Sequence, residues 1–432
     1  LLYAGFAALA VAVRQFSHAP ASTLRWTHLL WVALLLRGLL LPLPPTLSND
    51  ILRYLWDGRV VAAGENPYLL APEAEALRPL RDAAWERMHH HEVPTVYPPV
   101  ALALFTTAAS VSASTEVEIL ALKGLLSALD LLTCGLLMVL ARRRRVPLHR
   151  VAWYAWNPLV VLEVAGMGHV DALGVVAVVA AVVLLGVPRP SSRKAVLASA
   201  AAACAGVLAK LAPLALIPLW SRSSGRPGRY LGWTAALLAV TGLPVLVACG
   251  GVPPGLVKYG VSWEFNGPLF EPLWRLVDGL GVPGGVESVL NTLKAATDHH
   301  PGWNRLYPFN YPQLHAKLLL AAGMGLAVLA SLRRRRFEDP LAATGWLLGT
   351  LLLCSATVYP WYLLWVLPFA ALARQPAWLG LSALLPLAYL PQLLGIPLWP
   401  WVYLVIWLPF LGLWWRFPHW RPVAPTSPSV AS

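Results

Sequence analysis

The chain has 432 residues, of which 58% are hydrophobic and 12% charged, with a formal net charge of +13. That balance excludes an ordinary soluble domain and points to an all-α polytopic membrane protein. The positive charge does not call for a nucleic-acid partner. It is gathered in tight blocks, Arg142 to Arg145 and Arg333 to Arg336, beside long apolar runs, with smaller groups at Arg189/Arg193/Lys194 and Arg222/Arg226/Arg229. This is the distribution of cytoplasmic loops in a membrane protein.

The first apolar run, Leu1 to Val13, is shorter than the roughly 20 residues that cross a bilayer. No Met precedes it, so the N-terminus is expected to be truncated. Arg14 and Arg25 bracket a loop assigned to the cytoplasm, and a helix from about Thr27 to Pro42 crosses outward until Pro42, Pro44 and Pro45 stop it. Residues 45–97 form the first long polar loop. Its eight acids (Asp50, Asp57, Glu65, Glu73, Glu75, Asp82, Glu86, Glu92) outnumber its five Arg, which places it outside the cytoplasm. Within it, Leu47 to Tyr68 is unusually polar for this chain. Ser48 or Asn49 is a candidate N-cap, and Ile51, Leu55 and Ala62 mark an apolar helical face. Asp50, Arg53 and Asp57 make another side polar. Gly64 and Asn66-Pro67 end the helix. Such a helix is expected to lie in the interface plane. A second helical stretch, about Pro72 to His90, reads as a solvated surface.

Tyr97-Pro98-Pro99 opens an apolar run to about Ser110, and another runs from Val117 to Ala141. Two full crossings here would put the Arg block outside, so the first run is expected to be short, dipping in or sharing one crossing. Trp153 to Gly186 breaks at Gly166 to Asp171, and Ala195 to Trp220 breaks at Lys210-Leu211-Ala212-Pro213. Both breaks are expected on the same side as Asp50. A helix from Tyr230 to Cys249 leads to the second long loop, residues 250–311, with five acids against four basic residues, again assigned outside. Helices follow at Pro312 to Leu332, Pro340 to Val358, Trp361 to Leu372, Ala377 to Leu393 and Pro400 to Trp415. Trp361, Trp365, Trp399 and Trp401 read as interfacial belt residues. About 11–13 membrane segments are expected in a single domain, residues 1–417, followed by a disordered Pro/Ser-rich tail, 418–432.

Cys134, Cys204, Cys249 and Cys354 sit apart in apolar runs and read as buried hydrophobes. Ionisable residues in or at the ends of membrane helices are functional candidates by default: Lys123, Asp130, Glu163, His169, Asp171 and Lys210, beside Asp50 and Asp57. The competing reading pairs Lys123 with Asp130 as structural glue. His89-His90-His91 and His299-His300 resemble metal tracts, but no pattern completes a site, so surface loops and no metal are expected. Nothing resembles a phosphate-binding Gly-rich loop, which removes support for nucleotide-sugar or ATP use. The activated group would then come from lipid, and a lipid-phosphate sugar meets that need. Such chemistry requires a carboxylate to deprotonate the acceptor and cations to meet the leaving phosphate. Asp50 is the first candidate for the base, with Asp57 as the alternative. Lys210, Arg53, Lys123 and His169 are candidates for the phosphate.

In these residues the chain resembles the GT-C superfamily of integral-membrane glycosyltransferases that use polyprenyl-phosphate sugars. Its nearest likenesses there are bacterial polyprenyl-phosphate-mannose mannosyltransferases and the enzyme adding the first mannose to GPI anchors. The ordered features are Asp50, Gly64 to Tyr68 (G-E-N-P-Y), Tyr97-Pro98-Pro99, Lys123-Gly124 with Asp130, Trp156-Asn157-Pro158 with Gly168-His169-Val170-Asp171, Lys210 to Pro213, and Tyr359-Pro360-Trp361-Tyr362. The resemblance implies a GT-C-like helical bundle, an inverting reaction with Asp50 as base, and no metal or other cofactor. It implies donor contacts from Arg53, Asp57, Tyr97, Lys123, His169, Asp171, Lys210, Tyr359 and Trp361. Two departures stand out: Asn49 occupies the place of a second acid before Asp50, and Tyr359 that of a His before Pro-Trp-Tyr. The expected function is transfer of a sugar, foremost mannose, from a polyprenyl-phosphate donor to a lipid-linked or cell-envelope glycan acceptor. The expected place is the non-cytoplasmic face of a bacterial inner membrane. A flippase for lipid-linked sugars is the alternative, but it predicts short loops, repeated halves and a midplane site. A structural subunit of an envelope-synthesis complex is a third reading, in which Asp50 is dispensable.

Overall fold

Proline placement and the length of each apolar run set the helices of this chain. The computed structural model describes residues 2–18, 24–112, 114–186, 192–297, 301–333, 337, 339–417 and 420. The expected disordered tail therefore lies outside the described residues, apart from Trp420. Among the described residues the fold is all-α, and Phe265 and Asn266 make isolated bridges to Thr357 rather than a sheet.

The chain opens with α1 (Leu2–His18) and α2 (Trp26–Leu40), the latter ending before Pro42. The polar loop holds α3 (Asp50–Ala62). The helix expected over Pro72 to His90 is instead a 3-10 turn, Glu75–Leu80, and a five-residue α4 (Ala83–Arg87). Pro79 lies inside the first and lacks a backbone donor, while Asp82 starts the second by accepting from the Ala84 and Trp85 N–H groups. Next come α5 (Pro99–Ala109), α6 (Thr115–Arg143), α7 (His149–Ala155), α8 (Pro158–Val161) and α9 (Asp171–Leu184). The 11 residues of α5 span about 16 Å at ~1.5 Å per residue, well short of a bilayer core of roughly 30 Å. This agrees with the short run that charge parity required.

Beyond α9 lie α10 (Arg193–Ala209), α11 (Ile217–Ser223) and α12 (Pro227–Ala248), then α13 (Pro254–Ser262), α14 (Phe270–Gly279) and α15 (Val282–Ala296) in the second loop. The C-terminal part holds α16 (Pro312–Arg333), α17 (Pro340–Leu353), α18 (Leu367–Ala373), α19 (Pro376–Leu384), α20 (Leu390–Leu394) and α21 (Tyr403–Arg416). Among the described residues, five stretches are long and apolar enough to cross a membrane: α6, α12, α16, Pro376–Leu394 and Leu398–Arg416. The shorter apolar helices are α2, α5, α9 and α17. Several expected spans are broken rather than continuous. Residues 360–365 form a 3-10 turn before α18, and Leu385–Tyr389 does the same between α19 and α20. Trp361 and Trp365 are buried in the core instead of lying in an interfacial belt, whereas Trp401 is exposed.

Two contacts position the site. The first is backbone packing of α3 on α5. A Cβ at Gly58 would lie 2.5 Å from the Phe105 carbonyl, so only glycine lets these helices approach so closely, and Tyr54 stacks on Phe105 at 4.7 Å. As a result α3 is buried around most of its circumference, from Ile51 to Val60, rather than along one face. Ala62, assigned to the apolar face, is exposed. The second contact is a buried ion pair. Arg37 of α2 meets Asp130 of α6 at 2.6 Å, and the Tyr154 hydroxyl donates to the same carboxylate at 2.5 Å. The competing Lys123–Asp130 pairing is thereby corrected: Asp130 is taken by Arg37. Lys123 instead donates to the carbonyls of Leu40, the last residue of α2, and Leu43 just beyond it.

Candidate active site

A cavity of about 640 Å3 opens where the start of α3, the segment before α5, the break after α10, the second polar loop and residues 359–365 converge. Asp50, Arg53, Tyr97, Lys210, Tyr359 and Trp361 all line it. These residues come from widely separated parts of the sequence, and the cavity is where their ordered motifs meet.

Asp50 is the first residue of α3, where the backbone leaves N–H groups free and the helix dipole favours an anion. Its own N–H is donated to Ser48 Oγ at 3.2 Å, and its side chain is 39% exposed, toward the cavity. Although it opens on the cavity, the carboxyl sits deep within the fold, and its removal from bulk water pushes its pKa up to about 6. Lys210 opposes that rise and the negative charge of Asp171 adds to it. The carboxylate therefore has the affinity for protons expected of a general base working near neutrality.

Lys210 stands where α10 stops. Its backbone is extended (φ −160°) and Pro213 follows inside the next turn. Its Nζ donates to both oxygens of Asp171, at 2.8 and 3.1 Å, and lies 4.2 Å from the centre of the Tyr362 ring. Trp365 Nε1 also donates to Asp171, at 2.5 Å. Asp171 is fully buried, whereas Lys210 keeps a quarter of its side chain exposed. The pair thus holds an ammonium at the cavity wall with part of its surface free for an anion.

Tyr359 and Trp361 belong to a column of stacked rings. Phe265, Tyr359, Trp361 and His169 follow one another at centroid spacings of 4.6, 4.5 and 3.7 Å. His169 is fully buried at its foot. Its Nδ1 lies 3.9 Å from Asp50 Oδ2 and its Nε2 3.2 Å from Glu163 Oε2. A π-helical turn, Leu162–Gly166, and Gly168 at φ +77° present Glu163 and His169 to each other. A π turn inserts an extra residue into the ladder and re-aims its side chains.

Three predicted site residues have structural partners of their own. The Asp57 oxygens are taken by Arg53 Nε at 2.9 Å and the Thr95 hydroxyl at 2.5 Å, and burial raises its pKa. Arg53 reaches the cavity, and its guanidinium also donates to the carbonyls of His90 and Val93, so it straps the 89–93 segment over α3. Lys123 is spent on the end of α2. Of the four groups proposed for the phosphate, Lys210 and Arg53 line the cavity, and Lys210 is the more exposed, at 25% of its side chain against 13%.

The other motifs act as joints. Tyr68, from G-E-N-P-Y, donates its hydroxyl to the Tyr97 carbonyl at 2.9 Å, tying that motif to Tyr-Pro-Pro. Asn157 caps α8 through the Leu159 N–H and donates to Ser382 Oγ. The histidine tract packs on aromatics, His90 against Trp263 and His91 against Trp85. His299 and His300 lie outside the described residues. No cluster of three or more metal-ligating side chains occurs among the described residues. Sequence reasoning missed Tyr259, Trp263 and Tyr389 as cavity residues. Tyr259 and Tyr362 share a 2.5 Å hydroxyl contact, and no local pattern in the second loop could have announced it.

Residues 1–222 match a family model, the MptA/B family, described as alpha-(1->6)-mannopyranosyltransferase, N-terminal domain. No curated protein and no solved structure matches. Asp50, His169, Asp171 and Lys210 fall within the matched residues, and Tyr359 and Trp361 beyond them.

Proposed function

This chain belongs to the alpha-(1->6)-mannopyranosyltransferase (MptA/B) family, and on that premise we propose that it is an inverting, membrane-embedded mannosyltransferase. The donor is a polyprenyl-phosphate sugar, and the acceptor a lipid-linked or cell-envelope glycan. The single observation that carries this reading is one carboxylate, Asp50, and one partly free ammonium, Lys210, on the walls of a single cavity. In the reaction Asp50 takes the proton of an acceptor hydroxyl. The oxygen forms a bond to the anomeric carbon as the carbon–phosphate oxygen bond breaks, and the electron pair leaves with the lipid phosphate. Lys210 meets the charge that develops there. The family description names an α product, so inversion requires a donor whose phosphate is β-linked. The acid-rich 45–97 loop supports a cavity opening on the non-cytoplasmic face of a bacterial inner membrane.

The test uses purified protein, radiolabelled polyprenyl-phosphate-mannose and a membrane acceptor. Labelled product is expected from the wild type and none from Asp50→Asn, with the variant still monodisperse. Wild-type transfer by Asp50→Asn would sink the mechanism. Donor translocation without transfer would replace it with a flippase, and competition among polyprenyl-phosphate sugars would identify the sugar.

A further inference from the structure

The charge that develops on the leaving phosphate is only partly answered by the cations of the cavity wall. Lys210 is paired with Asp171 and Arg53 with Asp57, so each cation brings its own counter-charge. Neutral donors fixed in place before the reaction can supply what such pairs leave unmet. Tyr259 of α13 and Tyr362 of the 360–365 turn both line the cavity. Their hydroxyls meet at 2.5 Å, and Lys210 Nζ lies 4.2 Å from the centre of the Tyr362 ring. A bond between two hydroxyls uses one hydrogen of the two. Whichever phenol donates within the pair, the other keeps a hydrogen to give outward. A hydroxyl that accepts one hydrogen bond donates the next more strongly. Neighbouring rings hold both phenols in position. Tyr259 lies against Trp263 at 5.3 Å, and Tyr362 stands edge-on to Tyr359 and Trp361 at 5.9 and 6.1 Å.

We propose that Tyr259 and Tyr362 act as one donor unit that hydrogen-bonds the lipid phosphate beside Lys210, an inference that rests on the donor being a polyprenyl phosphate. No proton changes hands at this unit. The phenols stay neutral, and the electron pair that leaves the anomeric carbon stays on the phosphate. Tyr259 belongs to the second polar loop and Tyr362 to the C-terminal part of the chain, so the unit is complete only when the loop is docked. The alternative is a joint that merely fastens α13 to the turn. In a joint, either Phe substitution breaks the one bond and the second adds nothing. In a donor unit, each single variant keeps a hydroxyl with a hydrogen to give, and only the double variant removes both.

The test compares binding of undecaprenyl phosphate and undecaprenol, which differ only in the phosphate, to the purified full chain by native mass spectrometry. The wild type is expected to prefer the phosphate. That preference should fall roughly 10-fold or more in Tyr259→Phe/Tyr362→Phe and less in either single variant, with undecaprenol binding unchanged in all three. Equal losses in the singles and the double mark a joint and overturn the proposal, as does a double variant with the wild-type preference. If the double variant does not fold, fluorotyrosine in place of Tyr259 and, separately, of Tyr362 is read by fluorine NMR. A resonance moved by the phosphate and not by the alcohol supports the proposal. Resonances that stay still, or that both lipids move alike, overturn it. A wild type that binds both lipids equally sinks the lipid-phosphate donor itself, whereas a phosphate preference untouched by the tyrosine changes sinks only their role.

Discussion

At Asp50, burial works against ionisation while Lys210 favours it, and burial wins: the carboxyl titrates at about 6 instead of 3.8. A base must be ionised to act, so kcat/KM is expected to fall as pH drops through about 6, as measured in a pH–rate profile. The sign for stability is opposite. Folding raises this pKa, so the stability that the protonated carboxyl contributes below about 3.8 is lost as pH rises through about 6. Asp50→Asn at pH 7 is therefore expected to melt no lower than wild type in a thermal scan, although it is inactive. Lys210→Met removes the free ammonium and leaves Asp171 buried with Trp365 as its remaining donor. Donor KM should rise roughly 10-fold or more and Tm should drop, because a buried charge loses its partner. Lys210→Arg keeps the charge and should retain part of both. Asp50, His169, Asp171 and Lys210 were legible as candidates because ionisable groups are rare in so apolar a chain and each sits at a helix start or break. Asp57 and Arg53 carried the same signal, but they face each other, a pairing that spacing suggests without excluding a role in the site. Tyr259 and Tyr389 could not be singled out, because an aromatic residue in an aromatic-rich chain carries no mark of its position.

The element that depends most on one residue is α3. Gly58 lies against the Phe105 backbone, which cannot swing aside as a side chain could. Gly58→Ala is expected to push α3 from α5, costing about 1–3 kcal/mol and shifting Asp50 with its helix. Thermal melting and transfer assays on the same preparation check both effects, and wild-type values in each would show that the approach tolerates a methyl group. Helix ends at the prolines, the short α5 and the breaks at Lys210 and Gly168 were readable from local rules. The burial of α3 was not. Its polar residues suggested a solvated side, but Asp57 is satisfied by Arg53 and Thr95 inside the fold. The 3-10 turns at 360–365 and 385–389 were equally hidden, since apolar periodicity cannot distinguish a continuous span from two short helices joined at a proline.

Across the whole molecule, the two long polar loops close on each other over the cavity. His90 packs on Trp263, and Lys258 reaches Glu92 at 3.3 Å. The latter pair is exposed, so Lys258→Ala should change stability by less than about 1 kcal/mol, as read by thermal melting. The all-α membrane architecture was evident from composition, whereas the meeting of two loops so distant in sequence is a property of the assembled bundle. The Arg37–Asp130 pair has a consequence for how that bundle is made. Ninety-three residues separate its members, so α2 emerges from the ribosome long before its counter-charge has been translated. Arg37 lies in the last turn of α2, near enough to the end for its side chain to wait among lipid headgroups. Only the arrival of α6 can draw it inward. Biogenesis of this protein is thus expected to pause with α2 undocked, and Asp130→Asn should prolong that state into misassembly and degradation. Pulse-chase protease protection would detect it, and replacing both charges by Leu should restore the yield that the single change loses.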